Sequence, residues 1–145
     1  MARLPEPRPG LVIGYAFLWR EEAERGIEEG RKDRPCVIVL AVREIGLQTH
    51  VTVAPITHAA PARPEFAIEI PLVTKQRLGL DTERAWIVAA ELNRFVWPGV
   101  DLRPTARGSQ TFAYGLLPGS LFRALRDRVL SLARAGRLAT TRRSD

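Results

Sequence analysis

The chain is poor in the residues that most often carry metal, redox and covalent chemistry. Of its 145 residues one is cysteine, Cys36, and two are histidine, His50 and His58. A lone cysteine closes no internal disulfide, and no group of His, Cys, Asp and Glu has the spacing of a ligand cluster, so no metal site is expected. There is no Gly-x-Gly-x-x-Gly and no Walker-type loop, which leaves a nucleotide cofactor without a cradle. Serine is scarce and never sits in a Gly-x-Ser-x-Gly elbow. No cofactor is expected, and chemistry falls to arginine, threonine, glutamate, histidine and backbone groups. No apolar run approaches the roughly 20 residues that span a bilayer. The first residues lack an apolar signal core, which makes the cytoplasm the expected location and a membrane partner unexpected.

What is present is ordinary for a globular chain, 46% hydrophobic and 26% charged residues. Its length fits a single domain over residues 1–145 that buries a core without staples. The net charge is +6, from 22 basic and 16 acidic residues. Seven of the arginines lie in residues 121–145 against Asp127 and Asp145. That basic end, with residues 138–145 read as a tail, favours a polyanion or an acidic protein as partner.

Pro5, Pro7 and Pro9 predict an extended arm over residues 1–9. Residues 11–19 are aromatic and β-branched and read as a strand. Residues 20–33 alternate acids and bases around Gly26 and Gly30 and read as a long loop with one helical turn at 21–25. Residues 35–42 and 49–56 are apolar runs of strand length joined by a polar connection containing Gly46. Residues 66–70 alternate like a half-buried strand, 74–80 suit a turn or short helix, 85–96 read as a strand, and 111–117 as a last short one. Beyond Pro118, Leu121, Leu125, Val129 and Leu132 keep helical spacing up to Gly136. One helix and five to seven strands predict a mainly β fold, a small, strongly bent antiparallel barrel or sheet with a C-terminal amphipathic helix.

Two groups at strand tips stand out. Arg34, before Pro35, opens one apolar run, and Thr57 closes the next, 23 residues later. A guanidinium offers a planar fork to phosphate oxygens and stays charged at any relevant pH. A hydroxyl at the neighbouring tip can hold the same phosphate. Aromatic faces stack bases without sequence preference, but of Trp19, Trp86 and Trp97 at least two are expected in packing. Cys36, inside an apolar run, reads as buried and inert.

These residues carry a resemblance. Gly10-Leu11-Val12, Gly26-Ile27-Glu28, the stretch Arg31-Lys32-Asp33-Arg34-Pro35-Cys36, then Pro55-Ile56-Thr57 and Glu91-Leu92-Asn93-Arg94 resemble, in order, the MazF/PemK/Kid toxins of bacterial type II toxin–antitoxin modules. The resemblance implies an SH3-like barrel, usually a homodimer. It implies a metal-independent endoribonuclease that cuts single-stranded RNA, with mRNA the usual target, and a cognate antitoxin that fills the RNA groove. Arg34 and Thr57 fall on the family's catalytic pair, Glu91 on a carboxylate assigned as base in some relatives, and Arg31, Lys32 and Arg94 on the basic residues expected at RNA. A family arginine is replaced by Ala89 and a loop histidine by Ile27, which makes His58, beside Thr57, a second candidate for proton transfer. The related CcdB toxins keep the barrel and bind DNA gyrase. A gyrase-binding protein and a degenerate RNA-binding barrel are therefore the alternatives.

Overall fold

The computed structural model describes residues 4–27, 32–44, 46–106 and 108–143. The fold is mainly β. Its elements in chain order are β1 Leu11–Ala16, α1 Arg20–Glu24, β2 Asp33–Arg43, β3 Thr49–Thr57, β4 Ala67–Glu69, α2 Leu72–Leu78, β5 Trp86–Val88, β6 Glu91–Val96, β7 Leu102–Arg103, β8 Ala113–Leu116, α3 Gly119–Arg134 and β9 Ala139–Arg142. The path β4-β5-β3-β2-β1-β7 forms one sheet, with β6 also along β3, β8 also along β1, and β9 outside β6. The β6–β9 pair is parallel, and the other pairings are antiparallel.

The two apolar runs become the two longest strands. The turn between them is closed by Glu44 N–H to Gln48 O (2.8 Å), and Gly46 adopts φ +79° there, a conformation that favours glycine. Alternate residues feed two cores. Val12, Val37, Ala54 and Ile56 pack with Leu125, Val129 and Leu132 of α3. Ile13, Tyr15, Cys36, Ile38, Val51 and Val53 pack on the opposite face with Phe95 and Leu102. Strands covered on both faces must be apolar throughout, which is why these runs show no alternation.

Register shifts at Val12/Ile13 and between Ile38 and Leu40 bend the strands. The sheet curls until the end of β1 meets β6, and side chains replace the ladder at that seam. Asn93, fully buried, accepts the Leu18 N–H (2.9 Å) and donates to Leu18 O (2.7 Å). Arg143 donates to Ala16 O (2.6 Å) and Asn93 Oδ1 (3.1 Å) and pairs with Asp101 at 2.8 Å. Gly14 admits β7, since a Cβ there would stand 2.3 Å from Arg103 O.

The structure corrects several expectations. Of the residues read as a basic tail, Ala139–Arg142 form β9, Arg143 is 4% exposed, and residues 144–145 lie outside the described residues. The continuous strand expected over residues 85–96 divides into β5 and β6. At the break, Ala89 N–H turns to Phe66 O (2.7 Å) and Ala90 O accepts from Ala139 N–H (2.9 Å). Other expectations hold: the long first loop carries one helical turn, α1, and the segment around residue 74 is a short helix, α2, which begins at Leu72. The C-terminal helix is present and starts at Gly119, directly after Pro118. No helix among the described residues is long and apolar enough to cross a membrane.

Candidate phosphate-binding site

The hairpin register brings the two strand tips together. Cys36 pairs with Pro55, and carrying that antiparallel register two residues on sets Arg34 level with Thr57. Both line one cleft of about 540 Å³, with Lys32, His58, Lys75 and Asp81 among its other walls.

Arg34 is half-buried and incompletely satisfied. Its Nε is buried with no hydrogen-bond partner among the described residues, and its Nη1 reaches Ile56 O only at 3.5 Å. The guanidinium lies over the Trp19 ring, 5.2 Å from the centroid. A flat cation held on an aromatic face with a buried donor unpaired has the chemistry of an anion receptor, because leaving that donor unmet costs about 1–3 kcal/mol. Thr57 Oγ1 accepts the Ala59 N–H (3.2 Å), so it does shape the turn. Its own proton remains available to a phosphate oxygen.

His58 follows the last residue of β3, where strand alternation no longer governs direction, and its ring joins the same cleft. The ring lies 3.0 Å from Asp81 through Nε2 and 3.4 Å from Glu83 through Nδ1. Spacing along the chain shows no such cluster; folding creates it, with the ligand-type atoms of the three exposed residues within 4.8 Å of one another.

Sequence reasoning missed Asp81 and Glu83, and it missed Lys75. Lys75 is 3% exposed, forms part of the cleft wall, and donates to the carbonyls of Thr82 and Glu83. Its signal is compositional. In a chain with 22 basic residues only Lys32 and Lys75 are lysines, and both line this cleft.

Glu91 stands apart, in an adjoining hollow of about 500 Å³ with Trp19 and Arg20. The two concavities share Ala59 as a wall. Glu91 Oε2 accepts the Arg20 N–H (2.8 Å), not a bond from Arg94. Burial raises its carboxyl above the ordinary range, opposed by that bond and by the Arg20 charge. Arg94 is exposed on β6 beside Leu40 and Thr52, in a groove that contains neither Arg34 nor Thr57. Lys32 is exposed at the cleft, whereas Arg31 lies outside the described residues.

Trp86 is 8% exposed and Trp97 packs beside Phe95, which leaves Trp19 as the aromatic at the site. Cys36 is fully buried and its thiol is pushed far up by desolvation, so no thiolate nucleophile forms.

No family model matches the chain, and no curated protein does. The site is therefore read from its own groups: a half-buried guanidinium, a hydroxyl, an imidazole held by carboxylates, and a shielded glutamate next door.

Proposed function

We propose that this protein is a metal-independent endoribonuclease that cleaves single-stranded RNA, with mRNA its target, as the toxin of a type II toxin–antitoxin pair of the MazF/PemK/Kid kind. The observation that carries the reading is the meeting of Arg34, its Nε buried and unpaired, with Thr57 in one cleft. RNA supplies its own nucleophile, the 2′-hydroxyl, so cleavage asks only for a held phosphate, stabilised charge and proton transfer.

Arg34 receives two phosphate oxygens and keeps its charge as negative charge builds on phosphorus. Thr57 donates to the same phosphate and fixes its orientation. Glu91 takes the 2′ proton from the adjoining hollow, since a carboxyl raised by burial is a better base near neutrality than a solvated one. Trp19 supports the arginine from behind and Lys32 adds positive charge along the RNA path.

The remaining parts of the reading concern partners. The protein acts in the cytoplasm as a homodimer, and its silencing partner is a cognate antitoxin. Leu40, Val42 and Leu130 are exposed apolar side chains, of which Leu40 and Leu130 share a groove between the sheet and α3, and such a surface supports pairing of two copies.

The test is incubation of the purified protein with a defined RNA in EDTA, with the new ends mapped. The expected products carry 2′,3′-cyclic phosphate and 5′-hydroxyl ends. Arg34→Ala is expected to lose about a hundred- to thousandfold in rate. Full cleavage by that variant refutes the mechanism.

A further inference from the structure

In-line displacement at phosphorus places the incoming 2′-oxygen and the departing 5′-oxygen on opposite sides, so a base and an acid must flank the phosphate. Glu91 lies in the hollow with Trp19 and Arg20, which meets the Arg34–Thr57 cleft along the shared wall Ala59. In the cleft that Arg34 and Thr57 line, the imidazole held between carboxylates, and so able to carry a transferable proton there, is His58.

Its surroundings hold the ring from both edges. Asp81 meets Nε2 at 3.0 Å and Glu83 meets Nδ1 at 3.4 Å. An imidazolium donates through both nitrogens at once, whereas a neutral ring satisfies only one of the two carboxylates by donation. The loop carrying those acids is itself fixed: Asp81 Oδ1 accepts the Glu83 N–H (3.1 Å), and the buried Lys75 ammonium donates to the Thr82 and Glu83 carbonyls. A surface histidine paired by chance does not need a buried lysine beneath its partners.

We infer that His58 is the general acid of the cleft, giving its proton to the leaving 5′-oxygen, with Asp81 as its positioning residue and Lys75 anchoring the loop. The inference rests on the ribonuclease reading above. In the step, the bond from O2′ to phosphorus forms and the bond from phosphorus to O5′ breaks. The 2′ proton passes to Glu91, and one ring proton of His58 passes to O5′ while Asp81 keeps the other. The products are a 2′,3′-cyclic phosphate and a 5′-hydroxyl, and exchange with water returns both side chains to their starting states. Glu83, 73% exposed and the more distant partner, is the carboxylate that yields to the substrate.

The experiment uses the cleavage site mapped in a defined transcript, resynthesised as a short oligonucleotide in two forms. One is ordinary RNA, and the other carries sulfur in place of the bridging 5′-oxygen at that site. Sulfur leaves as thiolate without a proton, so an acid is dispensable for the second substrate. His58→Ala is expected to lose about a hundred- to ten-thousandfold on RNA and less than about tenfold on the sulfur substrate by the same principle. Asp81→Asn is expected to show a smaller loss on RNA that the sulfur substrate likewise removes. Equal losses on both substrates, with or without a lowered melting temperature, overturn the assignment, as does full activity of His58→Ala on RNA. A wild-type protein that leaves the transcript uncut, so that no site can be mapped, overturns the ribonuclease reading itself, a different failure from wild-type cleavage with no selective rescue.

Discussion

Replacing Arg143 tests whether the curled sheet depends on its side-chain seam. The guanidinium is 1% exposed and meets Asp101, itself 9% exposed, at 2.8 Å. It also donates to Ala16 O at 2.6 Å and Asn93 Oδ1 at 3.1 Å. Arg143→Met keeps most of the apolar volume and removes every one of these donors. Among the described residues, Asp101 is left buried with Arg103 as its one cationic partner, at 3.9 Å. Breaking one side of a buried pair typically costs about 3–5 kcal/mol, because the surviving charge has lost its compensation. Ala16 O, Asn93 Oδ1 and the Tyr15 hydroxyl (3.4 Å) also lose a donor, but Asn93 keeps its bonds to Leu18, so the loss is placed within that range. Against a typical domain stability of about 5–15 kcal/mol this is a large fraction of the whole. Urea denaturation at fixed pH reads it as a lower midpoint with an unchanged slope. The double variant Arg143→Met with Asp101→Asn is expected to recover part of the loss, giving a coupling on the order of 1–3 kcal/mol. A single-variant loss below about 1 kcal/mol, or strict additivity in the double variant, refutes the view that this pair holds the seam.

Two further outcomes follow from the titrating groups. Glu91→Gln is expected to lose about a hundred- to ten-thousandfold in cleavage rate, and in the wild type the acidic limb of the rate profile is expected above the ordinary glutamate value of about 4.3. The sign follows from the raised carboxyl: the folded protein binds this proton more tightly than the unfolded chain, so its contribution to stability is present below the ordinary value and is lost as pH rises through the raised one. Glu91→Gln at neutral pH is therefore expected to be no less stable than the wild type, measured by thermal melting, and a marked loss of stability assigns the residue to structure. Cys36, fully buried with its thiol pushed up, is expected to react with an aromatic disulfide reagent only at the rate of unfolding. Rapid labelling of native protein contradicts its placement between the two strands.

The parts legible in the sequence were those whose physics is local. Residues 35–42 and 49–56 announced strands because apolar β-branched runs bounded by polar turns have few other uses, and α3 was visible because Leu121, Leu125, Val129 and Leu132 share one helical face. The pairing of Arg34 with Thr57 was legible for a related reason: a single hairpin register relates the two positions. What was hidden is held by distant groups. β9 has no apolar pattern of its own, and it is a strand because β6 offers a parallel edge and Arg143 finds a buried carboxylate. The break at residues 89–90 depends on Phe66 and Ala139, each about 20 or more positions away, competing for backbone groups. Lys75 and Asp81 were passed over because α2 and its following loop looked like an ordinary polar connection. Their placement over the strand tips is a tertiary result.

The seam and the site are one construction. Asn93 on β6 grips both backbone groups of Leu18, and the next residue is Trp19, the surface on which Arg34 rests. Trp19 N–H is held by Glu22 at 3.1 Å and Arg20 N–H by Glu91 at 2.8 Å, so the chain leaving β1 is fixed at three consecutive residues. A guanidinium must be placed to within a fraction of an ångström to favour a transition state over a ground state, and an arginine on a strand tip has too many rotamers to achieve this alone. Stacking on a tryptophan that is itself tethered to the opposite strand removes that freedom. It follows that loosening the seam disturbs Arg34 without touching it. A variant such as Asn93→Ala is expected to lower the rate per folded molecule as well as stability, whereas a core truncation of α3 at Leu125, far from the Trp19 tether, is expected to lower stability alone.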